Sequence, residues 1–167
     1  QRTSKYTIGR YDEERCIYTQ ALFGGVRNIH VGIDLGAPAG TPVHAFTDCV
    51  IHKIGVNEAL GDYGPTIITE QIVDGERIWA LFGHLSTQSL KGHSVGQSIE
   101  GGEVLGWIGE ETENGGWPPH AKLGGRPQAQ RGAPGGRARQ PVAAAVGGGG
   151  VAAVARAELI ENVVVPL

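Results

Sequence analysis

The chain has 167 residues and a mass of 17.5 kDa, the size of one domain with room for a tail. Glycine fills 28 positions, far above the usual share of about 7 %, while charged residues make up 19 % and aromatics 6 %. There is no collagen period, no sustained heptad pattern and no run of about 18 apolar residues, which excludes a triple helix, a long coiled coil and a membrane-spanning helix.

The formal charge of −3 conceals two compositions joined at one point. Residues 1–120 hold 8 Lys and Arg against 15 Asp and Glu. Residues 121–167 hold 6 against 2, together with 9 Gly and 11 Ala. All aromatic side chains, all six His and both Cys precede position 121. The front portion can bury a mixed aliphatic and aromatic core; the back portion largely lacks the side chains for one. Cys16 and Cys49 make no disulfide framework and read as small buried thiols, and no Cys/His spacing of a structural zinc finger occurs.

Residues 1–24 form a polar lead-in. Its opening, QRTSKYTIGRYDEER, carries no targeting pattern and begins at Gln1, as a processed or excised piece of a larger chain would. Residues 25–120 are written in short β-type runs separated by Gly, Pro and Asn. Residues 41–46 read as extended, with a turn at Asp48, and residues 50–54 alternate like a strand with one buried face. Residues 65–70 and 77–82 predict two more strands, joined by a hairpin whose Asp74-Gly75 pair is a turn signal. Short strands come next at 94–95, 97–99 and 103–109, around Gly101-Gly102. Turn signals about every eight to twelve residues argue an antiparallel, all-β domain.

Residues 121–167 carry no period that would specify a core face. Residues 151–160 have the composition of a short helix, a length that is marginal in isolation. The segment therefore reads as a low-complexity Gly/Ala/Arg tail, disordered or the product of a GC-rich coding sequence read in another frame. Its basic residues, Arg126, Arg131, Arg137 and Arg139, have no aromatic neighbours for stacking, so nucleic acid is not an expected partner.

The chemistry-bearing residues lie in the front portion. His30 and Asp34 are four apart in a segment able to turn an imidazole and a carboxylate toward one point, and both groups are good zinc ligands. His84 closes an apolar strand beside Gly83. His120 comes directly after two prolines that fix the approach of the chain. Taken singly, His30 and Asp34 also fit a surface pair, and His84 fits a hydrogen-bonded histidine at a sheet edge. Together, three His and one Asp in Gly-rich or rigid surroundings suit a zinc-activated water.

HVGIDLGAPAGTPVHA, then LFGHLS, then GWPPH, in that order, resemble the lysostaphin-type (LytM-type) zinc metallopeptidases over about residues 25–120. DYGPTIITE and ENGGWPPH look closest to the version found beside an aminotransferase in some multidomain proteins. The resemblance implies a compact antiparallel β-sheet fold of the LytM-like, duplicated-hybrid-motif type, with a narrow groove. It also implies one zinc ion held by His30, Asp34 and the second His of a terminal H-x-H. By the same resemblance His120 acts as general base on the zinc-bound water and His84 stabilises the transition state. The implied substrate is a peptide, typically a cross-link or Gly-rich bridge of bacterial peptidoglycan.

The match breaks at Lys122, which stands where the third zinc ligand belongs. A protonated ammonium has no lone pair to give a metal. Two functions are then open: a zinc metalloendopeptidase lineage with a damaged C-terminal end, or a catalytically dead LytM-like module that binds peptide, glycan or a partner protein. The same break predicts loss of the final strand after His120 and an open sheet edge beside the cleft.

Overall fold

The computed structural model describes residues 6–15, 29–30, 32–127 and 145–146. In chain order its strands are β1 (Thr7–Gly9), β2 (Glu13–Glu14), β3 (Ile29–His30), β4 (Ile33–Gly36), β5 (Pro42–His44) and β6 (Cys49–Asn57). Next come β7 (Gly64–Val73), β8 (Glu76–Gly83), helix α1 (Thr87–Lys91), β9 (Ser98–Ile99), β10 (Val104–Trp107), β11 (His120–Pro127) and β12 (Ala145–Val146). Seven strands form one sheet in the order β1-β4-β11-β8-β7-β6-β9, and every recorded pairing is antiparallel. A smaller sheet has the order β10-β5-β12, and β2 pairs with β3. The antiparallel, all-β expectation holds.

The longest hairpin shows why. Asp74 (φ 52°) and Gly75 (φ 80°) both take positive φ, as a two-residue I′ connection demands, and Val73 pairs directly with Glu76. Beyond that turn the period of two takes over. Ile67, Thr69 and Gln71 of β7 and Ile78, Ala80 and Phe82 of β8 all point into the core. Val43 and Leu105 from the small sheet are fully buried against this layer, and Phe46 stacks on Phe82 with ring centroids 6.4 Å apart. Cys49 is a buried free thiol, as expected; Cys16 and the 151–160 segment lie outside the described residues.

Three expectations need correction. The final strand is present: β11 begins at His120, runs to Pro127 and lies between β4 and β8 near the middle of the large sheet. The expected open edge is absent too: β11 pairs on both sides, so no edge opens beside the cleft among the described residues. The reason is local alternation. Ala121 and Leu123 are buried opposite Leu35 and Ile33, while His120 and Lys122 face the other side. Residues 94–95 are not a strand; Val95 sits in a turn with Gly96 at φ 88°. Helix α1 carries no sequence period at five residues. It is held by Ser89, whose buried hydroxyl accepts from the Trp107 amide at 2.9 Å.

A chain cut after residue 120 therefore loses a central strand and should show no cooperative unfolding transition by circular dichroism. Leu123→Ala in the full chain should lower the urea-unfolding free energy by about 2–5 kcal/mol, the usual cost of emptying a buried leucine site.

Candidate functional site

The core-facing alternation of β4 and β11 presents their remaining side chains on the opposite face. Ile33 and Leu35 turn inward, so Asp34 turns outward; Ala121 and Leu123 turn inward, so Lys122 turns outward beside Asp34. The register sets Lys122 directly across from Asp34, with Gly83 on the other flank of Lys122. His30 arrives from β3 and His120 opens β11. His84 comes immediately after the last residue of β8.

All four of the sequence-predicted site residues meet here, and so does Lys122. His30 Nε2 lies 3.1 Å from Asp34 Oδ1, His120 Nε2 lies 3.8 Å from the same oxygen, and the His84 and His120 rings have centroids 4.4 Å apart. The Lys122 ammonium donates to His30 Nε2 and approaches Asp34 Oδ1 at 3.4 Å. The other histidines are engaged elsewhere: His44 with the Gly102 carbonyl, His52 with Glu70, and His93 with the Leu105 carbonyl.

The three site imidazoles share one arrangement. Each Nδ1 faces a backbone carbonyl at 2.7 Å: Arg10 for His30, Asn114 for His84 and Pro118 for His120. A carbonyl only accepts, so Nδ1 carries the proton; Nε2 of His30 then accepts from the Lys122 ammonium, and burial disfavours a second proton on Nε2 of His84 and His120. This tautomer is assigned from the partners.

Three residues escaped the sequence reading. Asn114 is completely buried. Its side-chain amide donates to the Trp117 carbonyl at 2.8 Å and accepts from the Trp117 amide at 2.9 Å, while its carbonyl holds His84. The signal was present in Asn114-Gly115-Gly116, where both glycines take positive φ and a side chain at Gly115 would strike the Asp62 carbonyl. Arg15, in the charge-rich lead-in, reaches Asp34 Oδ2 at 2.5 Å. Tyr63 lies beside His84 with ring centroids 5.9 Å apart, and the Trp117 ring meets His84 edge-on at 6.2 Å. His84 itself sits at φ 59°, a conformation that costs a non-glycine residue roughly 1–3 kcal/mol and persists only when its surroundings fix it. Its amide donates to the Tyr63 carbonyl at 2.7 Å, and its carbonyl accepts from Gly109 at 3.0 Å.

Burial and charge set the protonation states. Burial, aided by the neighbouring His120, pushes His84 down to about 4. His120 is lowered by burial against the opposing pull of the Pro118 carbonyl and Asp34. Burial also lowers Lys122, with Asp34 acting the other way. For Asp34, burial works to raise the carboxyl, but the Lys122 ammonium and the Arg15 guanidinium hold it well below the usual carboxylate range.

The donor set does not fit a zinc ion. Among the described residues no group of three or more His, Cys, Asp or Glu is placed to hold a metal. The two side chains expected as ligands already share the cation of Lys122.

A family model described as Peptidase family M23 matches residues 28–134. The DD-carboxypeptidase/endopeptidase Mpg of Neisseria meningitidis serogroup B and that of Neisseria gonorrhoeae are each 35 % identical to this chain over 103 residues, 59 % of this chain and 21 % of the relative. The chain thus spans about a fifth of the length of those relatives. Among solved structures, the catalytic domain of the antimicrobial peptidase lysostaphin from Staphylococcus simulans superposes with a TM-score of 0.55 at 21 % identity, covering 74 % of this chain and 82 % of that one. LytU gives 0.56 at 21 % identity, covering 84 % and 83 %. These likenesses agree with the fold described above.

The depressed His84 value gives a pH dependence of definite sign. The unfolded chain takes up the proton near pH 6.5 and the folded chain only near 4, so acid favours unfolding across that window. The thermal midpoint should fall as pH drops from 6.5 to 4, and His84→Gln should flatten that slope. Asn114→Ala strands its buried partners at the Trp117 backbone and should cost about 2–4 kcal/mol in urea unfolding.

Proposed function

Because the chain belongs to peptidase family M23, and its relatives include a DD-carboxypeptidase/endopeptidase, we propose that it is a non-hydrolytic M23 domain that binds an extended peptide of peptidoglycan type. The observation that carries this reading is the Lys122 ammonium lying against both His30 Nε2 and Asp34 Oδ1. An ammonium offers no open coordination position, so it neither polarises a peptide carbonyl nor lowers the pKa of a bound water as a catalytic metal does.

What remains suits recognition. His84 and His120 present Nε2 acceptors that match the N–H groups of an extended backbone, and the rings of Tyr63 and Trp117 flank His84. His120 retains a partly solvent-facing side chain, 16 % exposed, so this acceptor is reachable. As a neutral ring with its proton on Nδ1, His84 accepts rather than donates, which fits peptide binding better than the oxyanion role implied by resemblance. Trp and Tyr contribute large contact area at small entropic cost. In this proposal the domain works as one part of a longer chain, for which the aminotransferase-fused arrangement is the candidate context.

A second reading, zinc-dependent endopeptidase activity in a completed site, is favoured by one observation: the His84 and His120 rings lie together, tilted at 44° with centroids 4.4 Å apart, beside His30 and Asp34. The two readings separate in one assay with purified peptidoglycan sacculi and the full chain. Non-hydrolytic binding predicts co-sedimentation that is indifferent to chelator, with no new free amino groups. His120→Ala should weaken it about tenfold, the effect of losing roughly 1.4 kcal/mol of hydrogen bonding. Release of amino groups that stops on chelation establishes the enzymatic reading instead, and absence of co-sedimentation rejects the binding reading.

A further inference from the structure

We propose that Lys122 and Arg15 together form a built-in, covalently tethered replacement for a divalent metal, so that this M23 domain is metal-free by construction and a single substitution, Lys122→His, opens it to zinc. The inference rests on the same contact as the non-hydrolytic reading, but its test involves no peptide.

The geometry is specific. His30 Nε2 and Asp34 Oδ1 are 3.1 Å apart, and each bears a lone pair. Two acceptors that close repel unless a positive donor lies between them, and the Lys122 ammonium touches both. The other carboxylate oxygen, Oδ2, is taken by Arg15 Nη1 at 2.5 Å. Lys122 and Arg15, the latter also paired with Glu13 at 3.0 Å, thus bring two cations to Asp34 and satisfy both of its oxygens with donors, as a divalent ion would do by charge alone. The side chain is also accommodated. A Cβ at position 32 would come within 3.3 Å of Lys122 Cε and 3.4 Å of Nζ, so Gly32 leaves the room that the lysine stem fills. At position 9 a Cβ would collide with the Arg15 guanidinium. Two glycines clear the path for two cations that approach one carboxylate from opposite sides.

Position 122 is also where a third ligand would close the set. It sits directly across the ladder from Asp34, and its side chain ends on the two ligand atoms. Lys122→His removes the internal cation and adds an imidazole beside an imidazole and a carboxylate, the three protein ligands typical of an open zinc site.

The test is zinc content by elemental analysis after chelation, zinc readdition and gel filtration, with thermal unfolding as a second readout, on the full chain and on the Lys122→His and Lys122→Met variants. The parent chain should retain no zinc and unfold at a midpoint unmoved by zinc or chelator. Lys122→His should retain about one zinc per chain and unfold at a midpoint that rises with zinc concentration. Lys122→Met, which removes the cation without adding a ligand, should retain none and unfold earlier than the parent. Stoichiometric zinc on the parent that is abolished by His30→Ala overturns the proposal, because the lysine would then yield to metal. A folded Lys122→His variant without zinc overturns it as well, and if that variant does not fold, the parent measurement still decides. Loss of sacculus binding in the earlier assay leaves this result untouched, so the two failures are distinguishable.

Discussion

Everything at this site is organised around one carboxylate. Asp34 projects from the outward face of β4, and four side chains on three separate stretches of chain converge on it: Arg15, His30, His120 and Lys122. A carboxylate in so crowded a position is stable only with its charge answered and its lone pairs occupied, because removing one partner of a buried pair leaves an uncompensated charge that costs several kcal/mol. The answer comes from across the ladder. Lys122 is the register partner of Asp34 on β11, so the ion pair and the strand pairing reinforce one another. Forming β11 brings the cation, and the cation makes the outward face of the β4–β11 pair tolerable.

The histidines are positioned by backbone rather than by other side chains. Three carbonyls, of Arg10, Asn114 and Pro118, each receive an Nδ1 proton and so fix both ring orientation and tautomer. Carbonyls in turns are only as fixed as the turns. The Pro118-Pro119 segment is restrained by its rings, and the Asn114 carbonyl is restrained by the side chain of the same residue, which closes the loop to Trp117. Left-handed backbone at His84 is held by amide and carbonyl bonds on either side. The strain at His84 and the clamp at Asn114 therefore belong to one device that aims a ring at the cleft.

How much of this is legible in the sequence depends on range. The β7–β8 hairpin is legible because its signal, Asp74-Gly75 between alternating runs, is local and strong. His30, Asp34, His84 and His120 each have an ordinary reading alone and stand out only as a set, three His and one Asp recurring in Gly-rich or Pro-fixed surroundings. Arg15 is not legible: nothing within the lead-in says that it will reach a carboxylate nineteen positions away. Asn114 looks like ordinary turn chemistry, since its side chain bonds only nearby backbone, at Gly109 and Trp117, and it reaches His84 through its own carbonyl. Strand β11 is hidden by composition. Its ordering information is the two apolar positions Ala121 and Leu123, and the Gly/Ala/Arg character of residues 124–167 swamps a signal that short. Tertiary pairing on both sides supplies what local propensity lacks.

Lys122 shows the same limit in a sharper form. From sequence it is a lost ligand, an absence. In the folded chain it is a cation in the company of another, and the two carry the charge that a metal would carry while offering none of its chemistry. A divalent ion neutralises the site and keeps a position open for water or substrate. An ammonium and a guanidinium neutralise it with directed N–H bonds and leave nothing open. Charge balance and Lewis acidity, which one ion supplies together, are thus separable in this fold. The requirement for charge balance is imposed by Asp34 and the packing around it, whatever the domain does. The requirement for Lewis acidity is imposed only by hydrolysis. On the non-hydrolytic reading proposed above, the domain keeps the first requirement and drops the second, so the same carboxylate and aimed histidines are retained for charge balance and recognition around a side chain that activates no water.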